Sequence, residues 1–167
     1  SNGIHSNGFS LVRKIIENSS EIEKKFEEIS HLNFYKELLK PTKIYFSLIN
    51  QILSENIEIK AMSHITGGGI PENLPRSIPS NFIPYIDTKS WDIPFLFKFL
   101  KDIGKIPEKD FWNTFNLGVG FCLIIDKKFK DAILNICDEN DINSWVIGKI
   151  VHKDNAKEKR FFSEIIT

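Results

Sequence analysis

The residues best suited to chemistry lie in one stretch, Ser63-His64-Ile65-Thr66-Gly67-Gly68-Gly69-Ile70-Pro71-Glu72-Asn73-Leu74-Pro75-Arg76. Glycine reaches positive φ without Cβ strain, so three in a row can curl their backbone N–H groups toward one point. N–H groups arranged that way make a concavity that suits an anion. Pro71 is suited to open a helical turn, whose free N–H groups would add to the site. His64, Thr66, Asn73 and Arg76 bring ionisable and hydrogen-bonding side chains around it. No Gly-Lys-Ser/Thr follows, so this is not a P-loop. The Gly-x-Gly-x-x-Gly spacing of a dinucleotide fingerprint is also missing. The alternative reading is a sharp bend that needs glycine for geometry alone.

A second polar cluster, His5-Ser6-Asn7-Gly8, precedes the first helical pattern. Ser6 and Asn7 are natural N-caps. The cluster is either a cap with a neighbouring histidine or a second set of donors at a helix start. Gly118 and Gly120 would share one face of an apolar strand, which asks for something packed close against the backbone there. Cys122 and Cys137 form no CxxC and no disulfide framework, and both read as buried thiols of a reducing, cytoplasmic protein.

These residues must be positioned by an ordinary globular chain. It has 167 residues, 41% hydrophobic and 26% charged, which suits one domain. Lys+Arg and Asp+Glu both number 22, and this balance argues against a nucleic-acid surface. No stretch approaches the ~20 apolar residues of a membrane span, and no signal peptide opens the chain.

Helical spacing is expected from Phe9 onward, with Leu11, Val12, Ile15 and Ile16 inward. Residues 19–30 are acidic and read as a short surface helix or a loop. A helix over 43–55 places Ile44, Leu48, Ile49, Ile52 and Leu53 on one core-facing stripe. A strand over 57–65 leads into the glycine turn, and 81–87 is a short strand with Pro84 at an edge or bulge. A helix starting from Trp91-Asp92-Ile93-Pro94 would end at Gly104, and a short helix covers 107–112. Strands over 117–125, 143–151 and 160–166, with a helix over 127–138, complete an α+β chain whose sheet is mostly antiparallel.

Five stretches then carry a family resemblance. They are Gly3-Ile4-His5-Ser6-Asn7-Gly8-Phe9-Ser10-Leu11-Val12-Arg13, Leu39-x-Pro41-Thr42-x-Ile44-Tyr45, the His64 to Arg76 stretch, Trp91-x-x-Pro94-x-x-Phe97, and Thr114-Phe115-Asn116-Leu117-Gly118-Val119-Gly120. In this order they resemble the C-terminal half of the phosphoribosylformylglycinamidine cyclo-ligase (AIR synthetase) family. Two departures stand out. The family commonly has Tyr at Phe9 and Arg at Asn113, so a hydroxyl and a cation are missing here.

The resemblance implies a three-layer α/β/α domain with a mostly antiparallel mixed sheet over residues 1–167. It implies an ATP-binding, dimer-forming N-terminal domain absent from this chain. The implied reaction is ATP-dependent ring closure of formylglycinamidine ribonucleotide to aminoimidazole ribonucleotide in purine biosynthesis. ATP and Mg²⁺ would be held mostly by the N-terminal domain, because no carboxylate cluster for Mg²⁺ stands out in this sequence. By the same resemblance Ser6, Asn7, Thr66, Gly67, Gly68, Gly69, Asn73, Arg76 and Asn116 face substrate or phosphate, with His5 and His64 as candidate proton carriers. Glu72, Asn73 and Arg76 can alternatively brace the turn, and His64 can simply end a strand. Replacing Gly68 by Ala is expected to weaken binding without unfolding the chain. Rival readings are another enzyme of the same superfamily (amidotransferase, selenophosphate synthetase or thiamine-phosphate kinase) and a non-catalytic module that binds a phosphorylated ligand.

Overall fold

A computed structural model describes residues 3–155. The chain opens with a tight turn in which Asn7 N–H donates to the Ile4 carbonyl at 3.1 Å. Helix α1 (Phe9–Glu17) starts after Gly8, whose φ is 75° and whose side chain, if it had one, would strike the Phe115 ring. The expected caps Ser6 and Asn7 therefore lie outside the helix, which leaves them in the loop.

The acidic segment is helical: α2 (Ile22–Ser30) buries Ile22 and Phe26. Helix α3 (Phe34–Leu38), absent from the sequence reading, starts at Asn33, whose side chain accepts from Lys36 N–H. Helix α4 (Phe46–Ser54) buries Leu48 and Ile52. It begins three residues later than expected, so Ile44 is off the helix and exposed; Leu53, within the helix, is exposed too.

Strand β1 (Ile59–His64) runs into the glycine turn, and α5 (Gly69–Arg76) follows it directly. Pro71, expected to open a helical turn, and Pro75 both sit within this helix. Pro71 falls in its first turn, where a missing N–H costs nothing. Then come β2 (Phe82–Ile86), α6 (Phe95–Gly104), α7 (Glu108–Thr114), β3 (Phe121–Ile125), α8 (Lys130–Glu139) and β4 (Gly148–His152). Residue Lys105, not Gly104, takes the left-handed conformation that ends α6. Gly104 instead lets α6 approach Ile15 of α1.

The α+β class stands, and its strands form two antiparallel ladders, β1 with β3 and β2 with β4. In the first, His64 faces Phe121 and Ser63 faces Cys122, and Ile65 N–H extends the ladder to the Gly120 carbonyl at 2.9 Å. Residues 117–120 are a turn before β3, not strand. Leu117 and Gly118 have φ of 52° and 93°, and Pro94 is what approaches Gly118. The strand expected over 160–166 lies outside the described residues.

Alternation along β3 explains the layers. Cys122 and Ile124 join the larger core with α1, α2, α3, α5, α6 and α7. Leu123 and Ile125 join a smaller one with Leu48 and Ile52 of α4 and Ile133 and Ile136 of α8. Side chains of a strand point alternately to its two faces, so this ladder is sandwiched between helices.

Candidate functional site

The site grows from the end of β1. After His64 the buried Ile65 anchors the chain, and Thr66 to Gly68 form the turn. Gly69 N–H donates to the Thr66 carbonyl at 3.0 Å, and Glu72 N–H to the Gly68 carbonyl at 3.2 Å. Asn73, buried on the inner face of α5, reaches back across the turn. Its Nδ2 donates to the carbonyls of Gly69 at 2.8 Å and Gly67 at 3.0 Å, and its Oδ1 accepts from Thr66 Oγ1 at 3.1 Å. The carbonyl oxygens, which would repel an anion, are thus tied to a side-chain amide. Among the described residues, none accepts from the Gly67 or Gly68 N–H groups.

The three glycines do different things. A Cβ on Gly69 would lie 2.0 Å from the Trp112 carbonyl oxygen, so this glycine lets α5 touch the backbone of α7. Gly68 has φ of 94° and faces the Glu72 side chain, at 2.5 Å from a Cβ built there. Gly67 is exposed, and a Cβ would meet only Asn7 Oδ1, at 3.5 Å.

That last distance joins the two halves of the site. The His5-Ser6-Asn7 turn comes to the glycine turn through Asn7, and His5 is close enough to His64 for their charges to oppose each other. Burial, with the His64 charge adding to it, holds the His5 imidazole below its usual pKa. His5 has φ of 56°. Ser6 is exposed in the same turn. The turn is held from below by Asn116, which is buried. Its Nδ2 donates to the Gly3 carbonyl at 2.8 Å, and its Oδ1 accepts from Gly118 N–H at 2.9 Å.

His5, Asn7, His64, Thr66, Gly67 and Gly68 therefore gather, and Asn73 and Asn116 brace them from inside. Arg76 lies on the outer face of α5 with its Nη2 3.0 Å from Glu72 Oε2. Asn73 contacts the turn as the bracing alternative has it, whereas the Glu72 and Arg76 side chains pair with each other. Sequence reasoning missed the rings around His64. Tyr45 and Phe121 lie 6.3 Å and 6.0 Å from it, and 5.0 Å from each other. The pairing of β1 with β3 puts Phe121 there, and only the Ile44-Tyr45 motif pointed to Tyr45. Among the described residues no three His, Cys, Asp or Glu side chains gather as a metal site.

The architecture is an α+β domain holding a braced glycine turn and a histidine pair at the end of an antiparallel ladder. The family described as "AIR synthase related protein, C-terminal domain" matches residues 1–159, and the chain belongs to that family. A phosphoribosylformylglycinamidine cyclo-ligase of Prochlorococcus marinus strain MIT 9312 is 75% identical over the whole chain, which covers 48% of that relative. The protein of the same name from strain MIT 9215 is 76% identical over the same share. That from strain NATL1A is 48% identical over 93% of this chain and 45% of its own length. The chain spans about half the length of these curated relatives.

Proposed function

We propose that this chain is the C-terminal half of an ATP-dependent cyclo-ligase that closes formylglycinamidine ribonucleotide to aminoimidazole ribonucleotide. The observation that carries the reading is the glycine turn, its carbonyls tied back by Asn73 and its exposed Gly67 facing the His5-Ser6-Asn7 turn. Residues 1–167 act as one domain behind an N-terminal half that supplies dimer contacts and most of the ATP site. The assembled homodimer works in the cytoplasm.

The N–H groups of Gly67 and Gly68, with Thr66, bind a phosphate of substrate or nucleotide. Ser6 and Asn7 orient the substrate. His5, kept neutral near pH 7 by its burial, is suited to accept a proton, and His64 is the second candidate. Gly69, Asn73 and Asn116 position these groups without touching the ligand. Arg76 adds positive charge once it leaves Glu72. ATP supplies the phosphoryl group that activates the formyl oxygen, and phosphate leaves when the amidine nitrogen attacks. Among the described residues no cluster of His, Cys, Asp or Glu gathers to hold Mg²⁺, which the N-terminal half would bind with ATP.

The test is aminoimidazole ribonucleotide formation by this chain alone and mixed with a separately produced N-terminal half. Activity only in the mixture supports the split site. Activity of the chain alone overturns the division of labour, and inactivity of a mixture shown to be associated overturns the cyclo-ligase reading.

A further inference from the structure

We propose that segment 39–46 is the surface on which the N-terminal half of the longer protein docks. The proposal deepens the reading above and rests on its claim that such a half exists. Three large apolar side chains within eight residues face solvent here, Leu39 at 73%, Ile44 at 84% and Phe46 at 70% exposure. Single exposed apolar residues are ordinary on a protein surface; a cluster of them marks an interaction face.

The segment is held in place from both ends. A Cβ on Gly3 would lie 3.5 Å from the Lys40 Cβ, and Lys40 Nζ pairs with Glu37 at 2.6 Å. Lys43 Nζ donates to the Asp141 carbonyl at 3.3 Å. Tyr45 sets its ring against Phe121 and His64. Met62 shares the His64 face of β1, two residues away, and is also exposed. A fixed segment presenting apolar groups to water is the form an uncovered interface takes.

The position of Gly3 points to the occupant. Gly3 is buried beside Lys40, so any chain preceding it enters the fold next to this segment. The matched relatives run to about twice this length, and the family match makes this chain their C-terminal domain. The other half thus joins where Leu39, Ile44 and Phe46 are exposed. Docked there, it would border both histidines, through Gly3 on one side and Tyr45 on the other.

Hydroxyl-radical footprinting tests this on the full-length protein and on the 167-residue chain, with exposed Val146 as the internal control. Labelling of Leu39, Ile44 and Phe46 should fall about tenfold in the full-length protein, as solvent leaves an interface core, with Val146 unchanged. Equal labelling in the two proteins overturns the proposal. Protection in the 167-residue chain that grows with its concentration assigns the face to a second copy and also overturns it. A paired variant, Ile44→Asp, should leave unfolding of the 167-residue chain unchanged and restore labelling of Phe46 in the full-length protein. Footprinting is indifferent to turnover, so failure of ring closure and failure of docking are read separately.

Discussion

Asn73 Nδ2 donates to the Gly67 carbonyl at 3.0 Å, which ties helix α5 to the turn that precedes it. The same nitrogen holds the Gly69 carbonyl, and Thr66 Oγ1 donates to Oδ1. One buried amide therefore sets the conformation of the whole turn. Asn73→Ala would leave these partners without it, and a buried polar group left unpaired costs about 1–3 kcal/mol. Urea unfolding should show a loss of that size, with phosphate affinity falling alongside. Unchanged stability would mean that the turn keeps its shape without the amide.

The glycines separate structure from function. Gly69→Ala places a Cβ 2.0 Å from a backbone oxygen and should cost several kcal/mol or prevent folding. Gly68→Ala is strained by its φ of 94° and by Glu72, so the expectation that it spares the fold does not hold. Gly67→Ala is the informative variant. Its Cβ has room, and a tolerated Gly→Ala change alters stability by no more than about 1 kcal/mol. The added methyl would crowd an anion approaching the exposed turn, so phosphate or substrate binding should weaken while thermal unfolding stays in place. Equal affinity in calorimetry would remove the phosphate from this turn.

How much of this was legible beforehand follows from the range of each signal. The glycine triplet and the polar residues beside it are local, so the turn could be read directly. The long apolar patterns of α1, α4, α6 and α8 were legible for the same reason. Helix α3, at five residues, is too short to show a period. The start of helix α5 was legible in Pro71, which suits a first helical turn, but its extent was not, because Pro75 inside it signals a break. The family resemblance made Asn73 and Asn116 candidate ligands, with bracing as the alternative for Asn73. That both amides turn inward, to Gly67, Gly69 and Gly3, is decided by the packing of α5 and of the chain start.

Burial lowers the His5 pKa, with the His64 charge adding to it, so the fold favours the neutral ring. The unfolded chain then binds more protons than the folded one just below pH ~6.5, and stability rises with pH there. The contribution should be fully present above pH ~6.5 and be lost as pH falls toward the lowered folded value. His5→Asn keeps a residue that tolerates φ of 56° and removes the titration. Its unfolding midpoint should be flatter than that of the parent between pH 5 and 7, on the order of the His titration range. An identical pH slope in both proteins would show that another group carries the effect.

Arg76 and Glu72 form an exposed i, i+4 pair on α5, and Glu72 Oε2 is also the atom nearest a Cβ built on Gly68. A carboxylate in that position opposes an anion at the turn, and the guanidinium beside it offsets the charge. Exposed pairs of this kind contribute about 0.3–0.5 kcal/mol, so neither side chain matters much to stability. Their effects on binding should have opposite signs. Arg76→Ala leaves Glu72 unneutralised and should weaken phosphate binding several-fold, with the loss shrinking as salt screens it over a Debye length of about 8–10 Å. Glu72→Gln removes the repulsion, frees the guanidinium and should tighten binding. Titration calorimetry with inorganic phosphate at low and high ionic strength reads both variants. Opposite shifts that converge at high salt would assign the anion to the N-terminal end of α5. Parallel shifts, or none, would mean that Arg76 and Glu72 serve only to brace the helix.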